Sequence, residues 1–250
     1  MRDVLYGRNA VREALRAGRR KVHKLILAQG TKETGIIADM VTLANKSGIP
    51  IQRVERQQLD KIGRVNHQGV AAETSPYPYV ELEQILAEPK KKQEMPLLLA
   101  LDCLQDPQNF GTLLRTAEIV GVHGVVIPKR RAVRVTPAVV NASAGATEHL
   151  LVAQVTNLAR TLEELKPQGL WIVGLEDVPQ AQPYDQSDLK MPLVLVVGSE
   201  GQGMHRLVKE TCDLLIKLPM RGKIGSLNAA VAGSIALYEV WRQRERGRTH

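Results

Sequence analysis

The chain of 250 residues is 44% hydrophobic and 24% charged, the balance of a globular protein able to bury a core, which excludes disorder as its ground state. The opening run MRDVLYGRNAVREAL has no apolar signal-peptide region, and no stretch reaches the roughly 18 apolar residues that a membrane span needs, so a cytoplasmic location is expected. A formal net charge of +8 favours a polyanionic partner, nucleic acid foremost, while 3% aromatic content with one Phe, Phe110, argues against a base-stacking platform.

Up to Thr74 the pattern alternates helix and strand. NAVREALRAG places Ala10, Val11, Ala14 and Leu15 at helical spacing and closes on Gly18; VHKLILA reads as a strand, GIIADMVTLANKSG as a helix closed by Gly48, and IPIQRV and GVAAET as two further strands. Residues 1–75 are thus expected to form a small α/β unit. Its cations Arg12, Arg16, Arg19, Arg20, Lys21 and Lys24 fall close together and are the candidate RNA contacts. His67 reads as a turn or packing residue. Residues 76–96 carry Pro76, Pro78, Pro89 and Pro96 around Lys90, Lys91 and Lys92, the composition of an interdomain linker with a short helix in it.

Residues 97–250 repeat the alternation on a larger scale. LLLALD, GVVIP, LLVAQV, LWIVGLE, LVLVV and LLIKLP are near-continuous apolar strands separated by helical stretches, and a long helix ends the chain. This is the pattern of a mostly parallel sheet covered on both faces, whose ligands sit at the carboxyl ends of the strands. Cys103 and Cys212 lie in no CxxC pair and read as apolar fillers, so neither a disulfide nor a bound metal is expected.

Three strand ends carry unusual residues. In DCLQDPQNFGTLLRTAEIVG, Asn109 can cap the helix, and Arg115 is a functional cation, a surface residue or an ion-pair partner of Glu118 or Glu148. In GSEGQGM, glycines bracket Glu200, which either caps a short helix or faces a ligand. In RGKIGSLNAA, Ser226 and Asn228 stand where a helix begins and suit caps as well as a site. Neither a dinucleotide-binding G-x-G-x-x-G nor a Walker A loop is present.

In order along the chain, DPQNFGTLLRTAEIVGV, VVGSEGQGM and IKLPMRGKIGSLNAAVAGSIALYE resemble the three signature motifs of the SpoU (TrmH-like) branch of the SPOUT methyltransferases, and NASAGATEHL resembles that branch's intervening segment. LYGRNAVREAL and NHQGVAAE are similar to the substrate-binding domain of the bacterial 23S rRNA guanosine 2′-O-methyltransferases of RlmB type. The resemblance implies an α/β C-terminal domain tied in a trefoil knot, a smaller N-terminal RNA-binding domain like ribosomal proteins L7Ae and L30e, and a homodimer. It implies S-adenosylmethionine held by Gly198, Glu200, Gly201, Ile216, Leu218, Met220, Ser226 and Leu227, and a catalytic set of Asn109, Arg115, Glu200, Ser226 and Asn228. The reaction it implies is methylation of a ribose 2′-hydroxyl, with 23S rRNA as the expected substrate and tRNA or an antibiotic-resistance site in rRNA as alternatives. A non-catalytic RNA-binding protein that keeps the fold is the competing class. Arg115 with a substrate phosphate, or Glu200, would take the hydroxyl proton; a guanidinium stays protonated in proteins, so Arg115 is expected to grip the phosphate and polarise the hydroxyl.

Overall fold

The computed structural model describes residues 2–63, 65–130 and 132–246. The chain divides into two compact units, Met1–Pro78 with Arg134–His149, and Tyr79–Val133 with Leu150–His250. Among the described residues no helix is long and apolar enough to cross a membrane.

In the first unit β1 (Asp3–Tyr6), α1 (Arg8–Ala17), β2 (Val22–Ala28), α2 (Ile36–Lys46), β3 (Ile51–Val54), α3 (Arg56–Asp60) and β4 (Val70–Thr74) follow one another. The sheet order is β1-β4-β2-β3, with β4 antiparallel to both its neighbours and β2 parallel to β3. Helix α1 turns Ala10, Val11 and Ala14 inward and stops at Gly18, whose φ of 61° carries no Cβ penalty. The strand β1 and the helix α3 are additions to the expected elements, and the five residues of α3 are too few for a helical period to register. His67 is buried and packs as expected, with Nε2 2.9 Å from Asp60 Oδ1 and Nδ1 accepting from the Gly69 amide.

The second unit contains α4 (Leu82–Lys92), within the segment expected to be a linker. A reciprocal capping box between Glu81 and Gln84 starts this helix, and Ile85 is fully buried beneath it. A Cβ on Gly124 would stand 2.4 Å from Ile85 Cγ2, so the segment is packed core rather than a free tether. Next come β5 (Leu97–Leu101), α5 (Pro107–Ile119) and β6 (Gly124–Pro128). The helix α6 (Pro137–Ala142) belongs to the first unit. The remainder is β7 (Val152–Val155), α7 (Leu158–Leu165), β8 (Trp171–Leu175), β9 (Gln182–Pro183), β10 (Leu193–Val197), α8 (Arg206–Thr211), β11 (Leu214–Lys217) and α9 (Ala229–Arg246).

These strands form one seven-stranded parallel sheet in the order β7-β6-β5-β10-β8-β11-β9. Strands β5 and β10 lie at its centre and are buried along their whole length, which is why LLLAL and LVLVV read as unbroken apolar runs. β10 enters between β5 and β8, two strands laid down earlier. Helix α9 packs on α5 through small residues: a Cβ on Gly233 would meet Leu113 Cδ1 at 2.9 Å, and Ser234 Oγ lies 2.9 Å from Thr116 Oγ1.

Residues 134–149 fall within the stretch expected to be a single domain, 97–250, yet pack with the first unit. Buried polar contacts hold them there. Arg20 Nε is 3.0 Å from Glu148 Oε2, with both side chains fully enclosed. The guanidinium carbon lies 5.4 Å from the centre of the Tyr77 ring, and the Tyr77 hydroxyl donates to Thr147 O at 3.2 Å. Asn141 Nδ2 donates to Tyr6 O at 3.0 Å, and His149 Nε2 meets Glu13 Oε2 at 2.9 Å. Burial raises the Glu148 carboxyl above its ordinary range, against the pull of Arg20, and pushes Tyr77 up to about 12. Because the carboxyl is raised in the fold, ionising it costs stability as pH climbs, and Arg20 offsets that cost. Arg20→Met should therefore lower stability at pH 7 by about 3–5 kcal/mol in urea unfolding, a loss that shrinks as pH falls and Glu148 protonates. A loss below about 1 kcal/mol at pH 7 would make the pair energetically idle.

Candidate functional site

In a parallel sheet every strand delivers its carboxyl end to the same edge. The loops after β5, β10 and β11 meet there. Asp106 caps α5 by accepting from the Asn109 amide at 2.8 Å, with Pro107 at the first helical position, and this leaves the Asn109 side chain free to reach outward. Its Nδ2 donates to Glu200 Oε1 at 2.9 Å. Asn228 Oδ1 accepts from the amides of Ala230 and Val231 at 3.0 and 3.1 Å, so it caps the start of α9. The Asn228 Nδ2 donates to Asn109 Oδ1 at 2.8 Å and also to Glu200 Oε1. Asn228 is thus both cap and site residue. Glu200 Oε2 accepts no hydrogen bond among the described residues and remains an acceptor on the cluster.

The loop that carries Glu200 depends on its glycines. Ser199 and Gly203 exchange backbone hydrogen bonds of 3.1 and 3.0 Å, closing a tight turn through Gly201 at φ 77°. A Cβ on Gly198 would lie 2.3 Å from the Gly203 carbonyl carbon and 2.4 Å from the Met204 nitrogen, backbone atoms that cannot yield. Glu176, just past β8, accepts from the Met204 amide at 3.1 Å and holds the turn from the other side.

Between these loops lies a cavity of about 540 Å³, within the range of small-molecule sites. Of the eight expected cofactor residues, Gly198, Glu200, Gly201, Leu218, Met220, Ser226 and Leu227 line it. Ile216 does not: its side chain is fully buried in β11, and its carbonyl is engaged by the Glu176 amide at 2.9 Å. Glu176, Asp177 and Lys217 also line the cavity and were not anticipated, although an acidic pair directly after the apolar strand LWIVGL marks a carboxyl-end position. A second cavity of about 400 Å³ shares Ser199, Glu200 and Gln202 with the first and is further walled by Asn109, Cys103 and His205. Arg115 lines neither cavity; it is exposed on α5 and forms no ion pair among the described residues. Its suggested partner Glu148 is taken by Arg20.

The two cysteines divide. Cys103 is no buried filler: it is half-buried at φ 59° on the second cavity. Cys212 is half-buried too but packs against the apolar core, and burial pushes its thiol up to about 12.

The cations of the first unit are mostly engaged within the fold. Arg12 pairs with Glu13 at 2.8 Å, Arg16 with Asp39 at 2.6 Å and Lys24 with Glu73 at 3.6 Å, while Arg19 donates to the Tyr77 hydroxyl at 3.2 Å. Arg20 is corrected from an RNA contact to a core residue, since an enclosed guanidinium cannot reach a phosphate. Lys21 is exposed. In the second unit Lys129 and Arg130 after β6, and Arg221 and Lys223 after β11, are exposed and form no ion pair among the described residues.

The family model for SpoU rRNA methylases matches residues 96–238. The chain belongs to the SpoU rRNA methylase family. A model for the substrate-binding part of RNA 2′-O ribose methyltransferases matches residues 4–80, and the chain is an RNA 2′-O ribose methyltransferase of this kind. It is similar to a protein of Bacillus subtilis named as a TrmH family tRNA/rRNA methyltransferase, YacO, with 51% identity over 242 residues, 97% of this chain and 96% of that one. Among solved structures, the SpoU methyltransferase AviRb from Streptomyces viridochromogenes in complex with AdoMet has the same fold, with a TM-score of 0.82, 23% identity and coverage of 98% and 92%. The A. aeolicus TrmH/SpoU tRNA modifying enzyme matches with a TM-score of 0.57 and 30% identity over 62% of this chain and 78% of that one.

Within this SpoU site the glycines separate into rigid and permissive positions. Gly198→Ala should destabilise the chain by about 1–3 kcal/mol through overpacking. Gly225→Ala, where a Cβ would meet nothing within 4 Å, should change stability by less than about 0.5 kcal/mol. Urea unfolding of both variants checks the pair; equal effects would mean that the turn at Gly198 relaxes.

Proposed function

We propose that the chain methylates the 2′-hydroxyl of a guanosine in 23S rRNA, in the cytoplasm, as a homodimer. The observation that carries this reading is the union of Asn109 with Glu200 and Asn228, two residues that line the cavity beside the glycine turn. S-adenosylmethionine, when bound, supplies an electrophilic sulfonium methyl group. The cavity suits it in size, and the Gly198–Gly203 turn that lines it is folded so tightly that a Cβ on Gly198 would strike its own backbone. Gly198, Gly201, Leu218, Met220, Ser226 and Leu227 would hold it. Asn109 and Asn228 orient Glu200 through Oε1, and Glu200 Oε2 is available to accept a hydrogen bond from the ribose hydroxyl.

Arg115 completes the reading from a second copy. It shares α5 with the exposed Ile119, and α9, packed against α5, exposes Val231, Ile235, Tyr238 and Trp241 at 45, 37, 46 and 44%. Those positions recur every three to four residues and form one apolar face, which supports α5 and α9 as the dimer surface. Arg115, permanently charged, would there grip a substrate phosphate and polarise the hydroxyl.

A tRNA substrate is the second reading, favoured by the names of YacO and of the A. aeolicus protein. Mapping 2′-O-methylation in rRNA and tRNA from cells with and without the gene separates the two. Failure of the intact chain to bind S-adenosylmethionine would leave a non-catalytic RNA-binding protein.

Arg115→Ala should abolish methyl transfer and leave S-adenosylmethionine affinity within about twofold, measured by calorimetry beside single-turnover assays; an equal loss of both would make it a folding residue. Glu200→Gln tests the proton acceptor. If Glu200 takes the proton, the acidic limb of the pH–rate profile disappears; if Glu200 only orients, the rate falls and the limb stays.

RNA affinity should fall steeply with salt. Replacing Lys129 and Arg130 by alanine should make that slope shallower by about one unit for each phosphate left without its cation, whereas Arg20→Met, where it folds, should leave the slope unchanged. An unchanged slope in the Lys129 and Arg130 variant would return RNA binding to the first unit.

A further inference from the structure

A cluster outside the Asn109–Glu200–Asn228 group has a different chemistry. Asp102 follows β5 and is buried; its amide donates to Val197 O at 2.9 Å, and its Oδ2 accepts from the His205 amide at 2.6 Å. His205 Nδ1 lies 3.1 Å from each Asp102 oxygen. With the Cys103 sulfur, one ligand atom from each of these residues lies within 4.8 Å of the other two.

We propose that Asp102, Cys103 and His205 form a binding site for a thiophilic divalent cation of the zinc type, on the wall of the second cavity. A tetrahedral zinc with bonds of about 2.0–2.3 Å holds its donors roughly 3.3–3.8 Å apart. The carboxylate and imidazole, a hydrogen-bonded pair 3.1 Å apart, stand slightly inside that spacing and the Cys103 sulfur lies within 4.8 Å of both, so small side-chain rotations bring the three donors onto it. One thiolate, one imidazole and one carboxylate select zinc over magnesium or calcium, which take oxygen donors. The backbone bonds to Asp102 supply the outer support that fixes a ligand's orientation. On binding, the thiol releases its proton to solvent and the imidazole proton resides on Nε2, so affinity rises with pH. The fourth position faces the cavity that Asn109 and Glu200 also line. If the function proposed above holds, an occupied site slows methyl transfer, but binding itself does not depend on that function.

The test uses the intact, reduced chain and cobalt(II) as the probe. One equivalent should bind with a thiolate-to-cobalt charge-transfer band in the near ultraviolet, and zinc should displace it. Cys103→Gly, which suits φ 59°, should abolish the band. His205→Ala should weaken cobalt binding by about tenfold or more. Cys212→Ala should leave the band intact. Absence of a band in the unaltered chain, its persistence in Cys103→Gly, or unchanged affinity in His205→Ala would each overturn the site.

Discussion

The side-chain amide of Asn228 joins segments that stand 119 and 28 residues away from it, at Asn109 and Glu200. One oxygen caps α9, and one nitrogen donates to both partners. The start of the last helix, the start of α5 and the glycine turn after β10 are therefore positioned together. Two of these three, the glycine turn and the start of α9, wall the larger cavity, together with the end of β8. The small residues at the head of α9 serve the arrangement: Gly233 and Ser234 let the helix lie against Leu113 and Thr116, bringing Asn228 within reach of Asn109.

Charge is divided between folding and recognition. The first unit holds several cations in a short run, and most of them are engaged by the fold itself. Arg20 forms a buried pair with Glu148, and Arg19 and Arg20 both flank Tyr77. In low dielectric such a pair is specific and intolerant of losing one member, which suits the joining of residues 134–149 to a unit otherwise made of the chain's first 78 residues. Lys129, Arg130, Arg221 and Lys223, which form no ion pair among the described residues, lie on loops that leave the carboxyl ends of the parallel strands. Net charge announces a polyanionic partner but does not say which cations meet it.

The single chain separates the groups proposed for the reaction. Asn109, Glu200 and Asn228 converge, Ser226 lines the same cavity, and Arg115 stands apart on the outer face of α5. That separation, together with the apolar face on α9, gives the proposed dimer a chemical purpose beyond stability.

By itself the sequence determined what local patterning and short motifs encode. The buried central strands β5 and β10, the glycine turn at Gly198–Gly203, the helix entrance at Asn228 and the family of the protein were all legible, because apolar runs, caps and glycines report on a residue and its near neighbours; at α5 the cap proved to be Asp106 and not Asn109. Only the tertiary structure decided which of those residues meet. It buried Arg20, withdrew Ile216 from the cavity, added Glu176, brought Cys103 beside Asp102 and His205, and packed residues 134–149 with the first unit. Each of these depends on strand order and on contacts between residues far apart in the chain. No window of sequence contains that information, since burial and pairing belong to the packed whole and not to the segment.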